Sequence, residues 1–174
     1  MYDGYMFRNF KKDKGFTLVE LLVVIAIISI LASLLLANFV GLRQRARDAQ
    51  RKSDLEQIRS ALELYRADNG SYPTTSGGWA VSTQGDTWIP SLSPQYIKKV
   101  PTDPINTGTN AQTAGNYIYQ YISDNQCGLT PGNEYALATR FENGSDSAGG
   151  NAYTYGTCSI SAGTFPGYYS LANP

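Results

Sequence analysis

The stretch Lys14-Gly15-Phe16-Thr17-Leu18-Val19-Glu20-Leu21-Leu22-Val23-Val24-Ile25-Ala26-Ile27-Ile28 reads as the start of a membrane span with one carboxylate in it. An ionised side chain at the bilayer centre costs about 2.5–3.5 kcal/mol on insertion scales and by default marks a functional position. Glu20 stands near one end of the span, where the cost is lower but still adverse, so something should offset it. It is the one charge from Phe16 to Leu42, and within Leu21–Val40 only Ser29, Ser33 and Asn38 are polar. That run matches the roughly 20 residues an α-helix needs to cross the hydrocarbon core. Ala26, Ser29, Ala32, Ser33 and Ala37 recur along it and suit close helix packing in lipid.

A cleavable secretory signal fits poorly, because its apolar core is short and a small-x-small site follows it. Here the run is too long, and Leu35-Leu36-Ala37 is a weak substitute for that site. Positive residues flank both ends: Arg8, Lys11, Lys12 and Lys14 before, Arg43, Arg45, Arg47, Arg51 and Lys52 after. Counting them gives no orientation.

Beyond the span, Leu55, Ile58, Leu62 and Tyr65 follow the spacing of one helix face. Ala46 and Ala49 are expected to extend that face toward the membrane. Asp68-Asn69-Gly70 should end the helix in a left-handed cap. The basic positions Arg43, Arg47 and Arg51 share another stripe. They are expected to meet anionic lipid head groups or acidic patches of neighbouring subunits. Charge alone carries no sequence readout, so nucleic acid is not expected as a direct specific partner.

The remaining chain, 71–174, is polar and rich in Tyr, Gly, Ser, Thr and Asn. Tyr117–Ile122 and Tyr135–Glu142 read as strands, the second with Tyr135, Leu137, Thr139 and Phe141 on one face. Ala152–Cys158 is a third candidate, reached through a loop over 143–151. Three or four antiparallel strands laid on the amphipathic helix would bury both apolar faces, an α+β arrangement. Most of the 13 tyrosines lie here. They either fill a thin core with their hydroxyls reaching outward or form an adhesive surface. Net charge is zero and there is no histidine, which removes the commonest general base and metal ligand. No nucleophile has a plausible base nearby in sequence, so an enzyme is not expected. Cys127 and Cys158 are the only cysteines, and outside the cytoplasm such a pair reads as a disulfide. Glu142, Asp146 and Asn151 offer oxygens in one loop, but their spacing matches no defined calcium loop. A solvated turn is the expectation, and no cofactor is.

The N-terminus resembles the type IV prepilins and their relatives, the pseudopilins of type II secretion. The carrying motif is Gly15-Phe16-Thr17-Leu18-Val19-Glu20, set between a basic leader and the apolar helix. The resemblance implies a type IV pilin fold and four parts: a leader at 1–15, an apolar helix at 16–42, an amphipathic helix at 43–70 and a β-rich head at 71–174. It implies that prepilin peptidase cuts after Gly15 and that Phe16 becomes the methylated N-terminus. Glu20 would then face the amine of a neighbouring subunit, offsetting its charge and fixing axial register. The leader would lie in the cytoplasm, with the head outside the inner membrane until assembly.

Leu62–Thr74 and Tyr96–Pro104 are similar to segments of major pseudopilins and of some minimal pilins. Many pilins carry Gly and Pro where this chain has Ser29 and Ala37, so either a more continuous helix or melting around Asn38–Gly41 is expected. The cysteine pair and the Tyr-rich head point to a subunit that polymerises into a type IV pilus on the cell surface, for adhesion, motility or DNA uptake. An assembly ATPase and a membrane platform protein would be its partners. The alternatives are a pseudopilin of a type II secretion pseudopilus, which a calcium site would favour, and a single-span anchored binding domain that never polymerises.

Overall fold

A computed structural model describes residues 15–125, 129–143, 153–155, 158–160 and 168–172, with the side chains of 35–38 and of 153–155, 158–160, 168, 169 and 172 left out. The chain divides into two compact units, one ending at Val40 and one beginning at Gly41. A single helical element, α1 (Leu18–Asn69), contributes to both. The helix assignment runs through residues 38–41. Taken as the pieces either side of 35–38, neither Leu18–Leu34 nor Phe39–Asn69 is alone long and apolar enough to cross a membrane; the two together meet that requirement by length and composition only.

In the first unit the apolar side chains of α1 are exposed all round, from Leu18 at 87 % to Leu34 at 65 %. Apolar surface on that scale requires lipid or other chains to cover it. Ser29 and Ser33 do not break the pattern. Their hydroxyls donate to the carbonyls of Ile25 and Ile30, both at 2.7 Å, so each polar group is satisfied inside its own helix.

In the second unit Leu55, Ile58 and Leu62 are fully buried and Tyr65 is half-buried, its ring edge-on to Tyr96 at 5.1 Å. The stripe does not continue through Ala46 and Ala49, which are exposed. It continues through Asp48 and Arg51, both fully buried. The helix ends as its sequence suggests: Gly70 takes φ 74° and its N–H reaches the Arg66 carbonyl at 2.8 Å. A residue with a Cβ would be strained in that left-handed position.

Four strands form one antiparallel sheet in the order β1 (Ala80–Val81), β2 (Gln120–Ile122), β3 (Ala136–Arg140) and β6 (Tyr168–Ala172). Leu137 pairs with Tyr121 on one side and Leu171 on the other. β3 is central and buried throughout. Tyr135, Leu137 and Phe141 join the cluster with Leu55, Ile58 and Leu62, whereas Ala136 and Ala138 pack with Ile122 and Leu129 in a second cluster. Small side chains suit that second, thinner layer. Ala152–Cys158 is not one strand of this sheet. Tyr153–Tyr155 (β4) and Cys158–Ile160 (β5) pair with each other instead. A separation of two residues beginning with glycine is a hairpin signal, and the sequence reading missed it.

Among the described residues, four tyrosines lie in the core and three are partly exposed. Tyr72, Tyr119, Tyr121 and Tyr135 are buried. The Tyr119 hydroxyl donates to Asp54 at 2.8 Å and that of Tyr121 to the Pro73 carbonyl at 2.7 Å.

Candidate assembly site

Gly15 and Phe16 precede the helix and are exposed, Phe16 at 83 %. Thr17 is the N-cap. Its backbone N–H and its hydroxyl both donate to Glu20 Oε2, at 2.9 and 2.7 Å, and the Glu20 N–H returns a bond to Thr17 Oγ1 at 3.2 Å. This is a capping box, in which side chains at both positions satisfy backbone donors that the helix start leaves open. The negative charge also lies at the positive end of the helix dipole. The carboxylate that looked unsupported in an apolar run is therefore partly offset within its own chain. Both bonds fall on Oε2, and Oε1 takes none among the described residues. The sequence reading missed Thr17; the signal that could have found it is Thr-x-x-Glu before an apolar run, a helix-start signature.

A second set of charges is built inside the second unit. Arg51 has a fully buried side chain. It forks onto Asp103, with Nε to Oδ2 at 2.7 Å and Nη2 to Oδ1 at 3.0 Å. Its Nη1 donates to Asp48 at 2.7 Å and to Glu142 at 2.9 Å. Arg47 forks onto Glu142 at 2.6 and 2.5 Å. Asp48 also receives the N–H groups of Glu142 and Asn143, each at 3.0 Å, and Asp103 receives that of Ile105 at 2.8 Å. The Arg51 guanidinium stacks over Tyr117, 5.0 Å from the ring centre.

One turn of α1 thus grips the 103–105 loop and the end of β3. Buried charges persist only when paired and hydrogen-bonded. The hydrogen bonds from Arg47, with those from Arg51, hold the Glu142 carboxyl below its usual range. Burial pushes Asp54 up despite its bond from Tyr119. Arg47 and Arg51 are consequently not a lipid-facing stripe; the expectation fails because two carboxylates, Asp103 and Glu142, arrive from other parts of the chain and join Asp48 of the same helix. The signal was the spacing 48, 51, 55, 58, 62, which places Asp48 and Arg51 on the buried face.

Of the other anticipated residues, Glu142 faces these two arginines, whereas Asp146 and Asn151 lie outside the described residues. So does Cys127, and of Cys158 only the backbone, in β5, is described.

Comparison with known proteins assigns both parts of the chain. Residues 10–36 match the prokaryotic N-terminal methylation motif, and residues 38–136 match the family described as type II secretion system (T2SS), protein G. A type II secretion system core protein G of Escherichia coli K12 is 40 % identical over 102 residues, covering 56 % of this chain and 70 % of that relative. The protein of the same name from Aeromonas hydrophila is 38 % identical over 98 residues, 54 % of this chain and 68 % of its own length. That of Vibrio cholerae is 34 % identical over 119 residues, 67 % and 75 % respectively. No solved structure matches the chain. The relatives side with the secretion pseudopilus, not with the surface pilus that the cysteine pair and the Tyr-rich head had suggested. With the methylation motif at its start and the matched domain over more than half its length, the chain belongs to the family of type II secretion system protein G, as a structural pseudopilin subunit.

Proposed function

We propose that the chain is the repeating subunit of a type II secretion pseudopilus and that Glu20 sets the register of its assembly. The observation that carries this is the exposed apolar helix with Glu20 at its start, one carboxylate oxygen held by Thr17 and the other open. Cleavage after Gly15 would turn the Phe16 nitrogen from an amide into an amine, and the methylated amine still carries a positive charge. Brought to Glu20 of a neighbouring subunit, it would offset a buried negative charge at one fixed height along the filament. A polar group used to set register is the best-attested role for buried charge. The precursor would sit in the inner membrane with its head outside, served by prepilin peptidase, an assembly ATPase and a platform protein.

Intact-mass analysis of the envelope fraction and of material sheared from the cells tests the reading. The expected species is a chain starting at Phe16, heavier by one methyl group and confined to the envelope. Glu20→Ala should keep the cleavage and lose cross-linkable multimers. Abundant sheared filaments would return the surface-pilus reading. An uncut chain starting at Met1, or normal multimers from Glu20→Ala, would refute the assembly role.

A further inference from the structure

The head carries a cleft away from the charge cluster. It has a volume of about 310 Å³ and is lined by Trp79, which is partly exposed, with Ser76, Gly77, Gly78 and Gln84 around it and with Trp88, buried at 3 % exposure, contributing only an edge of its surface. That is the small end of the range for small-molecule sites, ~300–1,000 Å³. Trp88 belongs to the main core cluster and its Nε1 donates to the Pro101 carbonyl at 3.0 Å, which fixes its ring. Trp79 packs against the second cluster and stays partly exposed. The cleft therefore takes one tryptophan from each cluster.

Its polar groups are neutral. No Asp, Glu, Lys or Arg is among the lining residues. Gln84 accepts the Val81 N–H with Oε1 at 3.2 Å, which leaves its amide NH₂ as the donor available to a ligand. The same bond closes the outer edge of β1, so a peptide adding as a further strand finds that donor taken. At Gly77, with φ 87°, a Cβ would meet nothing within 4 Å, so the backbone there is open to the cleft.

We propose that this cleft binds a neutral saccharide unit. An aromatic wall takes the apolar C–H face of a sugar ring, and uncharged amide, hydroxyl and backbone groups take its hydroxyls. Without a charged side chain in the lining, the cleft favours a neutral ligand over a phosphate or a metal ion.

The test uses the full mature chain in phosphatidylcholine nanodiscs, because maltoside detergents would occupy a sugar site. Maltose, cellobiose, lactose and N,N′-diacetylchitobiose are titrated, read by saturation-transfer NMR and by the fluorescence of the protein's 2 tryptophans. Saturable binding of at least one sugar is expected. Trp79→Ala should weaken it about tenfold, the worth of one aromatic contact. Gln84→Ala should weaken it about fivefold, the worth of one hydrogen bond, with circular dichroism unchanged. If Trp79→Ala fails to fold, Gln84→Ala decides alone. No saturable signal from any sugar, full affinity in the folded variants, or preference for the peptide Gly-Tyr-Gly over every sugar would overturn the proposal.

Discussion

Replacing Arg51 by methionine isolates the charge cluster. The guanidinium makes four hydrogen bonds to Asp103, Asp48 and Glu142 from a fully buried position. Methionine fills similar space, so cavity formation adds little. What remains is three buried carboxylates, of which Arg47 hydrogen-bonds Glu142. Asp48 and Asp103 keep their backbone donors but lose their countercharge. Breaking a buried ion pair from one side costs about 3–5 kcal/mol, a large part of the ~5–15 kcal/mol that holds a domain together. Arg51→Lys keeps the charge but not the fork, and should cost about 2 kcal/mol. The assay is denaturant unfolding of the mature chain in nanodiscs, followed by tryptophan fluorescence. Asp103→Asn in the Arg51→Met background removes one stranded charge and should recover about 1–2 kcal/mol, the size of coupling seen between contacting groups. A loss below about 1 kcal/mol for Arg51→Met, or no recovery in the double variant, would refute the view that countercharge rather than packing holds this turn.

Three further outcomes follow from burial and titration. Leu62→Ala should cost about 2–5 kcal/mol as a buried truncation, whereas Leu64→Ala, two residues on but 58 % exposed, should change stability by under about 0.5 kcal/mol; denaturant midpoints decide. In acid, Glu142 is held below the usual 4.5 by the arginines, so its stabilisation is complete above that value and is lost as pH falls through its lowered one. Asp54, raised above 3.8 by burial, acts in the opposite sense: its contribution is present below 3.8 and is lost as pH rises through the raised value. Glu142→Gln should therefore flatten the acid limb of the stability curve and Asp54→Asn should steepen it. In base, Tyr119, Tyr121 and Tyr135 are pushed by burial well above their usual value of 10. Their stabilisation is full below 10 and is lost as pH rises toward the folded values. Tyrosinate absorbance should appear late and together with unfolding, and gradual ionisation in the folded protein would contradict their burial.

Much of the first unit is a matter of local sequence. An uninterrupted apolar run, a Thr-x-x-Glu helix start and the Gly15-Phe16 junction are all read within a few residues, because capping and helix periodicity act over one or two turns. The 55–65 stripe and the Gly70 stop were equally plain. The short strands were less so. β2 and β3 were anticipated, but β1 has only two residues, a length at which period-2 alternation hardly rises above chance, and β6 was not read as a strand. Their existence depends on β2 and β3 being there to pair with.

The charge cluster is where sequence and tertiary structure part. Asp48 and Arg51 sit in phase with the buried stripe, yet their charge argued for water or lipid. The spacing was present in the sequence; the partners were not visible there. Asp103 stands 52 residues along the chain from Arg51 and Glu142 stands 91 away. Only when the sheet folds onto α1 do those carboxylates reach the guanidinium and offset its desolvation. Sequence alone determined the helix, the glycine that stops it and the apolar run at its start, since each rests on neighbours within a turn or two. Tertiary structure alone decided that Asp48 and Arg51 join the buried face of the helix, because burying an arginine depends on carboxylates that only long-range packing can deliver.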